Sequence, residues 1–211
     1  MRRKTFDVLV SAGGAIMVAV LIVAGVLLMW GYNFANSNVN TQLAEQQITF
    51  PAASAFAHAV APSPGTFSEV TPSMIPSVSQ YAGQQLTTGA QAQVYANDFI
   101  GEHIAEIGGG LTYSELSAKA MALPKGSAAY TAAESTVQTV FQGTTLRGLL
   151  LEAYGFSVFA TIAQDGAFAA FALAFLMALL MGFGFAHARR TNEAKELLPS
   201  RAKALGTLVP A

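Results

Sequence analysis

Three carboxylates, Asp98, Glu102 and Glu106, recur every four residues, a spacing that lines them up along one face of a helix. Carboxylate oxygens in that number suit calcium, and His103 with Glu106 adds an i, i+3 pair. Against a metal site, a straight helix cannot wrap ligands around an ion. The chain also lacks cysteine, an HExxH motif and a second histidine at helical spacing. The expectation is a solvated polar face with no metal and no cofactor. His58 falls in a proline-rich segment and His187 in a basic flank, so neither builds a site. Many serines but no GxSxG offer no nucleophile elbow. Gly108-Gly109-Gly110 lacks the strand and lysine of a phosphate loop and is read as a helix stop. Arg147 is a lone cation in an apolar run. It is expected to lie at an interface with its head in water or phosphate, or else to pair with Glu152, Glu45 or another outer acid. Asp165 is placed at the outer mouth of a membrane crossing. An enzyme is not expected.

The elements that must position these residues begin with two apolar runs. Val8 to Trp30 holds 23 residues with no charge, follows Arg2, Arg3 and Lys4, and ends in Trp30 and Tyr32, which suit the aromatic belt at a lipid interface. A secretory signal core is shorter, roughly 7–15 residues, so an anchor is the stronger reading. Ala35-Asn36-Ser37 is the weak cleavage alternative. Near the other end, the uncharged stretch from Ala167 to Ala186 is long enough to cross a bilayer as a helix and is closed by His187-Ala188-Arg189-Arg190. Of 11 basic residues, eight flank these runs and only Lys119, Lys125 and Arg147 lie between them, with nine acids. That asymmetry predicts both termini in the cytoplasm. The acidic middle argues against nucleic acid as a partner. Without cysteine, the outer region must hold itself by packing rather than disulfides. Abundant alanine and glycine suggest a GC-rich bacterial genome.

The expected organisation is a cytoplasmic basic N-terminus (1–7), a first transmembrane helix (8–30) and an extracytoplasmic helical domain (31–160) with a proline-rich segment (51–76). A second transmembrane helix (161–186) and a cytoplasmic tail (187–211) complete it. The fold class is an all-α membrane protein with two antiparallel transmembrane helices and a small helical extracytoplasmic domain.

Within the outer region the first helix is expected to run on through Asn33–Gln47 and stop before Pro51. The segment 51–76 reads as irregular and extended, with Phe56, Val60, Phe67, Met74 and Ile75 lying against something. Thr87 or Thr88 caps a helix to Ile107 that buries Ala92, Tyr95, Ala96, Phe99, His103 and Ile107. Thr112 and Glu115 form a capping box for a helix to about Leu123. Ser127 caps another, with Tyr130, Val137 and Phe141 buried and its end at Gly143. A fresh helix from Thr144 or Thr145 leads to the second crossing, with possible bends at Gly155 and Gly166.

In that crossing Gly166, Ala170, Ala174, Ala178, Gly182 and Ala186 repeat every four residues, while Ser11, Ala15 and Ala19 give the first crossing a shorter stripe. Small residues let membrane helices approach closely. Gly166, Ala170, Ala174, Ala178, Gly182, Ser11, Ala15 and Ala19 are therefore the candidate helix-packing residues.

Gln80-Tyr81-Ala82-Gly83-Gln84-Gln85-Leu86-Thr87-Thr88-Gly89-Ala90-Gln91-Ala92 and Thr145-Leu146-Arg147-Gly148-Leu149-Leu150-Leu151 resemble a group of two-span membrane proteins from actinobacteria. Gly31-Tyr32-Asn33-Phe34-Ala35 and the second anchor ending in Arg189-Arg190 are similar too. The group has no assigned activity, so the resemblance implies compartment and topology and carries over no functional residue. The function expected is that of a non-catalytic accessory or scaffold protein of the bacterial cell membrane, binding other membrane proteins or itself. The alternative is an extracytoplasmic ligand-binding or sensing protein, with an envelope hydrolase behind it. The partners expected are the lipid bilayer and a membrane protein or a second copy.

Overall fold

The computed structural model describes residues 3–59 and 69–190; within them the protein is all helical, with no strands. Val60 and Phe67 of the proline-rich segment, and the tail after Arg190, lie outside the described residues. Two helices are long and apolar enough to cross a membrane. They are α1 (Arg3–Glu45, 43 residues) and α7 (Ala128–Arg190, 63 residues). Between them come α2 (Ala53–Ala57), α3 (Ile75–Val78), α4 (Gly89–Val94), α5 (Gly101–Gly108) and α6 (Tyr113–Met121). The chain divides into two compact units, one of Met1–Gly31 with Ile162–Ala211 and the other Tyr32–Thr161.

In the first unit the facing positions pair in antiparallel order. Asp7 meets His187, Ser11 meets Gly184, Gly14 meets Met181, Gly25 meets Phe171 and Leu28 meets Gly166. The numbers in each pair add to between 194 and 196, so one register holds along the contact. Among the buried or half-buried positions, one series on α1 is Asp7, Ser11, Gly14, Val18, Leu21 and Gly25 and one on α7 is Ala167, Ala170, Ala174, Met177, Met181, Gly184 and Ala188, with Ala15, Ala24, Gly166, Phe171 and Ala178 half-buried beside them. Spacings of three and four alternate, giving the 3.5-residue period of a coiled-coil seam. Outside the seam, Ile16, Leu27, Phe175 and Phe183 are each more than half exposed. In water such continuous apolar surface would drive aggregation.

The second unit is built around Phe50, Met74, Val78, Leu86, Ala92 and Ala96, all buried. Phe50 reaches this core because residues 48–50 run against 84–86. Leu86 N–H donates to Ile48 O at 2.8 Å, and Phe50 N–H to Gln84 O at 2.9 Å. One isolated bridge, Thr49 with Gln85, is all the β pairing among the described residues. The ring of Phe50 packs edge-on to Tyr95 at 5.1 Å, and Tyr95, Phe99 and His103 continue the row. Burial raises the Tyr95 hydroxyl above its ordinary pKa.

Local chemistry fixes the element ends. Thr88 caps α4 by accepting from Gln91 N–H, while the buried Gln91 side chain accepts from Thr87 and Thr88 N–H and donates to Gln84 Oε1. Both ends of this buried amide therefore have partners, as burial requires. α6 has the expected box, Thr112 Oγ1 accepting from Glu115 N–H and Glu115 Oε2 accepting from Thr112 N–H. Helix α5 stops where Gly109 turns left-handed (φ 59°), a conformation glycine adopts without strain.

Several expectations need correction. The helix that Ser127 caps does not end at Gly143, and none restarts at Thr144 or Thr145, because α7 continues through all three. Gly143 is a packing socket: a Cβ there would sit 2.9 Å from Ile104. Thr145 turns its hydroxyl back to Phe141 O at 2.8 Å, which satisfies it within the helix. Phe141 is about half exposed, with Val140 buried instead.

The helix of residues 89–108 is not uniform either. Tyr95–Ile100 winds as a π-helix, one residue wider per turn. The wide turn delays the inner face, which continues as Ile100, His103, Ile104 and Gly108 and leaves Ile107 exposed. Residues 51–76 are not wholly irregular, since α2 and the start of α3 lie in them. Phe56 packs on the core and Met74 is buried, but Ile75 is exposed.

Candidate binding cleft

A cleft of about 480 Å³ lies within the second unit, in the range of roughly 300–1,000 Å³ typical of small-molecule sites. One wall is α1, where Phe34, Ala35, Asn38, Val39, Gln42 and Leu43 fall at steps of three and four and so share a face, with Gln46 in the turn just past its end. The other wall is α7, with Leu146, Leu149, Leu150, Glu152, Ala153 and Phe156 at similar steps, and Ile48 completes the lining. Val39, Leu43 and Leu150 are buried and form its floor. Phe34, Leu149 and Phe156 remain 58%, 59% and 55% exposed, so the rims present hydrocarbon to whatever enters.

Polar groups in the lining are few. Asn38, Gln42 and Gln46 are neutral amides, and Gln42 Nε2 donates to Asn38 Oδ1 at 2.9 Å along the α1 wall. Glu152 is the one ionisable residue among the described lining residues, and it is exposed. This arrangement can hold an apolar body and orient one polar end.

The carboxylate row singled out in the sequence does not converge on a common point. Glu102 is exposed and takes a long hydrogen bond from Ser73 Oγ at 3.4 Å, while Asp98 is half-buried. Glu106 departs from a solvated face: both carboxylate oxygens are buried without a hydrogen-bond partner. The π turn is the physical reason, because it rotates the face on which every later residue of the helix lies. His103 is buried and packs edge-on to Phe99. Among the described residues no cluster of three or more such groups could hold a metal.

Arg147 pairs with neither Glu152 nor Glu45. Its Nη2 donates to Asn97 Oδ1 at 2.9 Å, on the π turn, and its Nε lies 3.7 Å from where a Cβ on Gly101 would be. That spacing is ordinary van der Waals contact, so the guanidinium lies against the Gly101 turn of α5. The same α5 to α7 contact continues through Ile104 with Gly143 and Gly108 with Val140, again in antiparallel order.

Of the candidate helix-packing residues, Ser11, Ala170 and Ala174 are buried, Ala15, Ala178 and Gly166 half-buried, and Ala19 and Gly182 exposed. Gly182 has nothing within 4 Å of where a Cβ would stand. A step of four residues advances about 40° beyond a full turn. Five such steps from Gly166 reach the far side of the helix at Ala186. The strict four-residue stripe therefore leaves the seam, and Gly14, Val18, Leu21 and Gly25 on α1, with Ala167, Met181 and Gly184 on α7, take the places that stripe missed.

The cleft residues had a partial signal. Phe34, Val39 and Leu43 read as an apolar stripe and Leu146, Leu149 and Leu150 as another, but nothing local says that stripes more than 100 residues apart will face each other. Compared with known proteins, the chain matches no protein-family model, no curated protein and no solved structure.

Proposed function

We propose that this is an integral protein of a bacterial cell membrane that works by binding rather than catalysis. In this reading the paired stretches of α1 and α7 are two antiparallel transmembrane helices, both termini are cytoplasmic, and residues 31–160 form a small extracytoplasmic helical domain. The spans hold that domain at the membrane, and its cleft receives a partner. The observation that carries the reading is the cleft itself, a hydrocarbon-lined space between two helical walls with a thin polar margin. It favours the ligand-binding form of an accessory protein over a scaffold that works through its small-residue stripe, because α1 of the same chain already covers Ala170 and Ala174.

Scaffolding between spans keeps one specific support. Gly182 and Ala186 lie exposed four residues apart, the spacing of a close helix contact.

Two measurements test the proposal. Single cysteines replacing Ser37 and Ser127 should react with a membrane-impermeant thiol reagent in intact cells, and one replacing Ser200 should react only after lysis. The reverse pattern would overturn the topology. Ala153→Phe, which fills the cleft, should lose whatever companion wild-type protein retains through purification in mild detergent. Equal retention by both would remove the cleft from the function.

A further inference from the structure

We infer that the cleft takes one acyl chain of a bilayer lipid whose head is neutral or carries an amine. The inference rests on the membrane reading above and names the class of ligand.

Its walls are hydrocarbon, and their uncovered edges are Phe34, Leu149 and Phe156. Phe34 comes four residues after Trp30, the aromatic that closes the first apolar run. Along α1 the lining extends from Phe34 to Leu43, about 14 Å at the helical rise. One leaflet of a bilayer holds about 15 Å of acyl layer, half of the roughly 30 Å hydrocarbon core. The length of the apolar wall therefore matches a single lipid tail.

A volume of about 480 Å³ is in the range of a site for one small molecule or one chain, and a protein segment laid along the cleft is the rival that the experiment separates.

Charge selects the head. The described lining residues include no lysine, arginine or histidine to meet a carboxylate or an exposed phosphate monoester, and the one ionisable residue is Glu152. An anionic head would meet like charge without a counter-ion, whereas an amine would meet Glu152, and a hydroxyl-bearing head would meet the amides of Asn38, Gln42 and Gln46.

The test uses the full chain in nanodiscs of zwitterionic lipid. The probes are an alkylamine, a monoacylglycerol and a fatty acid of one chain length, each with a fluorophore at the chain end that brightens in an apolar site. The amine and the monoacylglycerol should bind saturably and at least tenfold more tightly than the fatty acid. Ala35→Phe and Ala153→Phe should weaken both at least tenfold, while Met121→Phe, on an exposed position of α6 outside the cleft, should leave them unchanged. Glu152→Lys should reverse the order of amine and fatty acid. Because Glu152 is exposed, this variant decides the matter even if filling the cleft prevents folding.

A linear signal that is the same in every variant would mean partition into the bilayer and would overturn the inference, as would a head preference that ignores Glu152→Lys. If no probe binds but Ala153→Phe still releases a protein companion, the lipid assignment fails while the binding function stands.

Discussion

At the scale of single residues, the glycines in the helices separate by what surrounds them. A Cβ on Gly25 would stand 2.6 Å from the Phe171 ring, whereas Gly13 has nothing within 4 Å. Gly25→Ala should therefore destabilise the protein by about 1–3 kcal/mol as an overpacked contact. Gly13→Ala should stabilise it by up to about 1 kcal/mol through helix propensity alone. Thermal unfolding of both in one detergent checks the opposite signs, and Phe171→Leu should restore part of what Gly25→Ala loses. The contrast was invisible in the sequence, where the two glycines look alike. Only the register of α1 against residues some 145 positions away distinguishes them.

The capping boxes were legible, because all their atoms lie within four residues. Thr112 supplies a measurable consequence. Its backbone N–H and then its hydroxyl donate to Glu115, and with the nearby Lys119 they hold that carboxyl below its ordinary pKa. A lowered folded-state pKa contributes stability that is present above the ordinary carboxylate range and is lost as pH falls through the lowered value. In an NMR titration, Thr112→Ala should shift Glu115 part of the way back toward the ordinary value, since the backbone donor remains. No change would remove the hydroxyl from the account.

At the scale of elements, the helices themselves were readable and their joins were not. Caps at Thr88, Thr112 and Ser127 and the stop at Gly109 are local signals. α7 runs on past Gly143, where Ile104 fills the space that glycine leaves, a contact between elements about 40 residues apart. The π turn likewise has no compositional mark, and it shifts the inner face of the turns after it, where Ile107 is exposed and the Glu106 carboxylate buried.

The seam makes the same point in energetic form. Ala174 is buried on it and Ala178 half-buried, while Leu179 points away and is exposed. Ala174→Leu with Ala178→Leu should force the helices apart and cost about 1–3 kcal/mol. Leu179→Phe should be nearly silent in the same thermal unfolding assay. Gly182→Leu belongs with the silent control if its open face meets only lipid. A change in oligomeric state with that variant would instead bring a neighbouring molecule to the exposed Gly182 and Ala186.

At the scale of the whole molecule, length and charge decide where a bilayer can sit. A helix of 63 residues is about 95 Å long, three times a hydrocarbon core of roughly 30 Å, so most of α7 must lie outside it. Glu134, Arg147, Glu152 and Asp165 punctuate the first part of α7, and Arg189 and Arg190 close it. The stretch between Asp165 and Arg189 is the part of the helix both long enough and uncharged, and that much was legible from the sequence. Burial alone cannot distinguish the two environments, because Phe141 and Phe175 are 49% and 65% exposed on the same helix. Spin labels on cysteines replacing each should distinguish them. The label at 175 should be relaxed by oxygen, which concentrates in hydrocarbon, and be shielded from a water-soluble nickel chelate. The label at 141 should show the opposite ranking. Phe141 also meets the Tyr113 ring at 5.6 Å, so the decisive readout is the ranking of oxygen against chelate at each site and not either accessibility alone. If both labels met the chelate equally, the apolar stretch would lie in water, and the exposed phenylalanines of α7 would need a protein partner rather than a bilayer to cover them.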